Sequence, residues 1–130
     1  MDEAMNIPIY ARIRQWLHWS KIDCQDRQHI WSSGVYIQDT PHIHIGKRCF
    51  IAPNVGIIAI NHDPANPSNH LPPEDVHIGD DCWIGMNSVI LPGVHLGNNV
   101  VVGAGSVVTH SFSDNSIIAG NPARCLHETL

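Results

Sequence analysis

The sequence is short of positive charge. Lys and Arg number 7 against 12 Asp and Glu, a formal charge of −5. A general nucleic-acid or anionic-membrane binder needs a basic face, and this composition does not supply one. No stretch approaches the ~18 consecutive apolar residues that would suggest a membrane span. The acidic start Met1-Asp2-Glu3 is followed by no apolar leader, so no secretory signal is expected. Cys24, Cys49, Cys82 and Cys125 form no CxxC pair. They fit a reducing, cytoplasmic setting better than a disulfide scaffold. Charged residues are scarce at 15%, while hydrophobic residues reach 43%, which is too apolar for a disordered chain. The 130 residues suit one domain, 1–130, with its own core.

What the chain does have is a period of six. Every sixth residue from Ile45 is aliphatic: Ile45, Ile51, Ile57, then Ile78, Ile84, Ile90, Leu96, Val102 and Val108. Ile, Leu and Val fill only 33 of 130 positions, so nine hits in phase are not chance. Glycine follows in five of the nine, at Gly46, Gly79, Gly85, Gly97 and Gly103. The fifth place in each hexad is usually small, as at Cys49, Val55, Cys82, Ser88, Val94, Val100 and Ser106. A helix repeats every 3.6 residues and a long strand every two. Six fits a short strand and a turn, taken again and again. The aliphatic residue and the small residue both face inward, the latter near a corner. Glycine is expected to free the backbone there for positive φ. The implied fold is all-β, a parallel β-helix with three hexads per coil. Residues 78–113 then make two full coils.

The flanks read differently. Ile9, Ile13, Trp16 and Leu17 recur at helical spacing, with Pro8 placed for a first turn. This predicts a short amphipathic helix over Asn6–Ser20, within an N-terminal helical segment 1–29. Coils are expected over 30–119, beginning with an irregular one that turns Val35, Ile37 and Ile43 inward. A C-terminal tail covers 120–130. Ile57 and Ile78 are 21 residues apart, which is not a multiple of six. The polar, proline-rich stretch between Asn61 and Asp75 must therefore loop out, and the loop is placed at about 61–77. A long loop on a rigid scaffold is a usual seat of function.

Residues 76–124 resemble the hexapeptide-repeat acyltransferases, with the sugar O-acetyltransferases of the maltose and galactoside types as the closest flavour. The specific pieces are Trp83-Ile84-Gly85, Ile90-Leu91-Pro92-Gly93-Val94, the run from Gly103 to Thr109, and the run from Ala119 to Arg124. The resemblance implies a left-handed coil, an exception to the right-handed crossover rule. It implies a homotrimer with each active site between two subunits. The donor would be acetyl-CoA, the acceptor a sugar or glycan hydroxyl, and no metal would be required. A histidine in the extruded loop would be the general base.

Acyl transfer from a thioester needs a base, donors for the oxyanion, and a groove for the long donor arm. His62 stands where the loop leaves the coil, matching the family's base, and imidazole titrates near neutrality. The family's oxyanion donor matches the backbone N–H of Met86, and Trp83 would line the cleft; an outward aromatic at the trimer interface is the other reading of Trp83. Gly85, Ala104 and Gly105 would lie against the pantetheine arm. Thr109, His110, Pro122 and Arg124 would lie toward the nucleotide end. The family often carries Lys where this chain has His110, which leaves Arg124 as the main cation there. Asn61 and Asp63 are candidates for binding acceptor hydroxyls, with Asn69 and Tyr36 as further polar groups. Trp16, Trp19 and Trp31 either stack on a sugar or pack the helix.

Two other functions compete. Gamma-type zinc carbonic anhydrases share the coil and use three histidines at a subunit interface, a credible catalytic zinc set. His42, His44, His62, His70 and His77 are raw material, but that family's GH…HGC pattern is missing, and no second and third partner for His77 are evident in register. A non-catalytic scaffold or binding module would show the same hexads. Cys49 and Cys82 read as core, while Cys24 and Cys125 have no assigned role.

Overall fold

The computed structural model describes residues 21–25, 33–38 and 40–128. Among the described residues there is no helix, only short strands and turns. None is therefore long and apolar enough to cross a membrane as a helix. The helix expected over Asn6–Ser20 lies outside the described residues, as do Trp16, Trp19 and Trp31.

Three parallel sheets form the body. Sheet I stacks β1 (Asp23–Cys24), β3 (Ile43–Ile45), β8 (Val76–Ile78) and β11 (His95–Leu96). Sheet II stacks β4 (Phe50–Ile51), β9 (Trp83–Ile84), β12 (Val101–Val102) and β14 (Ser116–Gly120). Sheet III stacks β2 (Tyr36–Ile37), β5 (Gly56–Ile57), β10 (Val89–Ile90) and β13 (Val107–Val108). From β3 onward the chain visits sheets I, II and III in turn, then begins again one level along. Each hexad aliphatic pairs with its counterpart in the next coil: Ile45 with Ile78, Ile51 with Ile84, Ile57 with Ile90. This is the topology of a parallel β-helix, and the coil runs as the period of six predicts.

The core is the hexad positions themselves. All nine aliphatics are at most 3% exposed. Burying each contributes roughly 1.5–3 kcal/mol. The fifth-place residues are buried too, and their chemistry is not arbitrary. Cys49 Sγ lies 2.9 Å from Gly79 O, Cys82 Sγ 3.2 Å from Gly97 O, and Ser88 Oγ 3.0 Å from Gly103 O. A small side chain with a donor fits the corner and satisfies a carbonyl there. Ser106 does this twice over, donating to Gly103 O at 2.5 Å and accepting from Gly120 N–H at 3.3 Å. Ser106→Ala is expected to cost about 1–2 kcal/mol in urea denaturation, because the Gly120 N–H loses its acceptor.

The hexad glycines serve another purpose than the expected one. Positive φ falls three residues after the inward aliphatic, at Arg48, Asn54, Asp81, Asn87, Gly93, Asn99 and Gly105, and three after Phe112, at Asn115. Asn dominates that place because its short polar side chain tolerates left-handed backbone. Gly46, Gly79, Gly85 and Gly97 instead stand where a Cβ would strike the next coil. At Gly79 it would lie 2.5 Å from Gly97 O, and at Gly85 2.6 Å from Val102 O.

The flanks depart from expectation in three places. Asp23–Cys24, placed in the helical segment, is a strand that pairs with β3. The extruded loop ends at Asp75 rather than at 77, since Val76–Ile78 is β8 of sheet I, with Val76 and Ile78 buried. The expected tail is a strand, β15 (Ala123–Glu128), antiparallel to β14 at the edge of sheet II. In the first coil Ile37 and Ile43 are buried as predicted, while Val35 packs against the core only partly covered.

Candidate functional site

The extruded segment is a built hairpin. Its neck is stitched to the coil: Gln38 Oε1 accepts from Ala59 N–H and Ile60 N–H at 2.9 Å each, and Ala59 O accepts from Glu74 N–H at 2.9 Å. Above the neck, β6 (His62–Asp63) runs antiparallel to β7 (Asn66–His70), and Asn61 O accepts from Leu71 N–H. Asp63 closes the tip by accepting from Ala65 N–H at 2.9 Å. Asn61 is exposed and Asp63 half-buried.

His62 is exposed, with its ring 4.5 Å from that of His70. Its Nδ1 lies 2.8 Å from Pro67 O. A carbonyl oxygen can only accept, so Nδ1 carries the proton in the neutral ring. The lone pair of the neutral imidazole is then on Nε2.

A second group of predicted residues forms a column at the corner between sheets II and III. Met86 O accepts from Gly105 N–H at 2.8 Å, and Gly85 N–H donates to Val102 O at 2.8 Å. Gly85 lies against Ala104, where an added Cβ would come 2.7 Å from Ala104 N. One coil further, Ser106 Oγ accepts from Gly120 N–H, which brings the turn carrying Pro122 to the same corner. Ala104 and Gly105 are exposed, and nothing lies within 4 Å of a Cβ added at Gly105. Trp83 and Met86 are exposed beside this column, at 56% and 47%. Arg124, on β15, is exposed, and its guanidinium donates to Ala123 O at 3.2 Å. Thr109 Oγ1 and His110 Nδ1 lie 2.7 Å apart beyond β13, on sheet III. Gly85, Met86, Ala104, Gly105 and Pro122 thus come together. No hydrogen bond or ring contact among the described residues joins His62 to this column or to Trp83.

A third group lies on the outer face of sheet I. His44, His77 and His95 stand in register on consecutive coils. The His44 and His77 rings stack at 4.4 Å, and His77 meets His95 edge-on at 4.5 Å. The partners for His77 that were not evident in the sequence are therefore present, one coil on either side. Asp75 sits among them, with Oδ1 2.5 Å from His42 Nδ1 and Oδ2 3.3 Å from His44 Nε2. His44 Nδ1 lies 2.9 Å from Asp23 Oδ2. The Asp23 carboxylate, helped by Asp75, raises the His44 pKa above its ordinary value. His42, with His44, holds the Asp75 carboxyl below its usual range. Burial, with its imidazole neighbours, pushes His77 down.

Sequence reasoning missed this face because Asp23 was assigned to a helical segment. The loop, moreover, hides the pairing of His44 with His77, 33 residues away. The signal was the position itself, since each of the three histidines directly precedes a hexad aliphatic.

A family model described as bacterial transferase hexapeptide (six repeats) matches residues 75–110. The chain is 39% identical over 112 residues to WbbJ of Escherichia coli K12, a candidate lipopolysaccharide biosynthesis O-acetyl transferase, covering 73% of this chain and 57% of that protein. It is 37% identical over 95 residues to the galactoside O-acetyltransferase of the same organism, covering 71% of this chain and 47% of that protein. The chain thus spans about half the length of the curated relatives it matches. The hexapeptide-repeat acetyltransferase VCA0836 of Vibrio cholerae, solved with acetyl-CoA, superposes with a TM-score of 0.68 at 21% identity, over 90% of this chain and 76% of that one.

Proposed function

This chain belongs to the hexapeptide-repeat transferase family, and on that premise we propose that it is an acetyl-CoA-dependent O-acetyltransferase acting on a sugar or glycan hydroxyl. The observation that carries the reading is the His62 tautomer. Pro67 O holds the proton on Nδ1 and leaves Nε2 basic, at the mouth of an exposed hairpin. Acetyl-CoA, when bound, supplies an acyl group activated as a thioester. His62 Nε2 takes the proton from the acceptor hydroxyl as it attacks, and returns it to the departing thiolate. The backbone N–H of Met86 donates to no acceptor among the described residues and faces the developing oxyanion. Trp83 walls the cleft. Asn61 and Asp63 orient the acceptor.

The corner column fits a long amide-bearing arm. Gly85, Ala104 and Gly105 offer backbone without side-chain bulk, and Gly105 opens directly to solvent. Thr109, His110, Pro122 and Arg124 form the nucleotide end. Because no hydrogen bond or ring contact among the described residues joins His62 to the column, the site in this reading closes between two copies in a left-handed, homotrimeric assembly. An outward stripe supports such packing, since Phe50 and Trp83 are in register on sheet II, 55% and 56% exposed. The cysteine pattern supports a cytoplasmic setting.

The test is calorimetric titration with acetyl-CoA, followed by acetyl transfer to a panel of galactosides and other sugars. Saturable binding near one site per chain supports the reading, and no binding at millimolar ligand removes it. Arg124→Ala is expected to raise the KM for acetyl-CoA about threefold to tenfold with kcat little changed, the scale of one exposed charge-assisted contact.

A further inference from the structure

We propose that the outer face of sheet I is a binding site for a zinc-class divalent cation, held by His44, His77 and Asp75. The candidate ligand atoms of these three residues all lie within 4.8 Å of one another. Two ligands at about 2.0–2.1 Å from a tetrahedral zinc stand about 3.3–3.4 Å apart. His44 Nε2 and Asp75 Oδ2 are already 3.3 Å apart. His77 Nε2 is 3.9 Å from the same oxygen, and its half-exposed ring must rotate out of the stack with His44 for both lone pairs to meet one ion.

The surroundings bring two carboxylates to the histidine column, a setting that suits a cation. A neutral imidazole has one N–H, yet both His44 nitrogens face carboxylate oxygens. The protonated ring donates one N–H to each carboxylate; a cation takes the place of the Nε2 proton, so that with Nδ1–H still donated to Asp23, Nε2 and Asp75 Oδ2 bind the ion from either side. Asp23 then plays the orienting carboxylate of a carboxylate–histidine–metal arrangement, which fixes the tautomer and raises ligand basicity. His42 similarly holds the other oxygen of Asp75. Two borderline imidazole nitrogens with one hard carboxylate oxygen suit zinc over calcium or magnesium, which take all-oxygen sets. An open cleft of about 270 Å³, lined in part by Asp23, His44, His77 and Asp80, lies against both histidines. The strands beneath pair His44 with His77 in register, so the two imidazoles are spaced by the coil.

The full chain, stripped with a chelator, is titrated with Zn²⁺ by calorimetry and with Co²⁺ by visible absorption. The expected result is one saturable site per chain, with the intense bands of tetrahedral Co²⁺. His77→Gln and His44→Gln weaken it at least about 100-fold, and Asp23→Asn about 10-fold, the usual scale for an orienting partner. His70→Gln, which alters the hairpin histidine pair, leaves it unchanged. Circular dichroism checks that each variant is folded, and the outward position of these side chains spares the core. The proposal is overturned if wild type shows no saturable site, if binding survives in His44→Gln and His77→Gln, or if His70→Gln abolishes it.

Discussion

Replacing His62 with Ala is expected to lower kcat by about 10²–10⁴-fold, the range of a lost general base. The KM for acetyl-CoA should hardly move if, as proposed, the arm lies against the corner column rather than the hairpin. The fold should survive, because His62 is exposed and outside the core. The hydrogen bond from Nδ1 to Pro67 O sharpens the prediction. A glutamine at 62 can still donate to that carbonyl but carries no basic nitrogen, so His62→Gln should be as inactive as His62→Ala. His70→Ala removes only a neighbouring ring and should cost far less. Steady-state rates with acetyl-CoA and an accepted sugar decide it: full turnover in either His62 variant would sink the assignment.

The largest effect on stability is expected at Gly79. A Cβ there would sit 2.5 Å from Gly97 O and 2.6 Å from Gly97 C. Both are backbone atoms of the adjacent coil, so neither can swing aside, and relief requires parting two coils. Gly79 N–H also donates to Leu96 O at 2.9 Å across that gap. Gly79→Val should cost at least about 3 kcal/mol, the upper end for overpacking, and lower Tm by about 10 °C or more. Gly56 is the internal control. Its nearest neighbour is Val89 Cγ2, 3.9 Å from a Cβ. Gly56→Ala should be nearly neutral. Equal melting temperatures for the two variants would refute close coil approach as the reason for the hexad glycines.

The body of the fold was legible because hexad burial is a one-dimensional code. Each aliphatic answers to its own strand and to the coil above, and both repeat in the sequence. The glycines show the limit of that reading. Their recurrence was visible, but close approach and positive φ are equivalent reasons on paper, and only the neighbouring backbone separates them. β15 was hidden because antiparallel pairing at a sheet edge leaves no period of six. His62 was legible by position, whereas its tautomer depends on Pro67, five residues on, folding back within the hairpin. The histidine column needed the loop to be subtracted before 44 and 77 could be seen as neighbours.

The stitched neck of the hairpin has an evolutionary consequence. Ile57 and Ile78 are separated by a number of residues that the period cannot accommodate, yet β5 and β8 keep their places in sheets III and I. The coil does not count what passes between Ala59 and Glu74, because the Glu74 N–H to Ala59 O bond closes the exit regardless of what lies above it. Closure entropy grows only slowly with loop length. The hairpin is therefore an exchangeable cassette: its length and sequence can drift or be transplanted without re-registering a single strand. Whatever the hairpin carries, His62 included, can thus be inherited or lost in one step while the coil beneath keeps its packing.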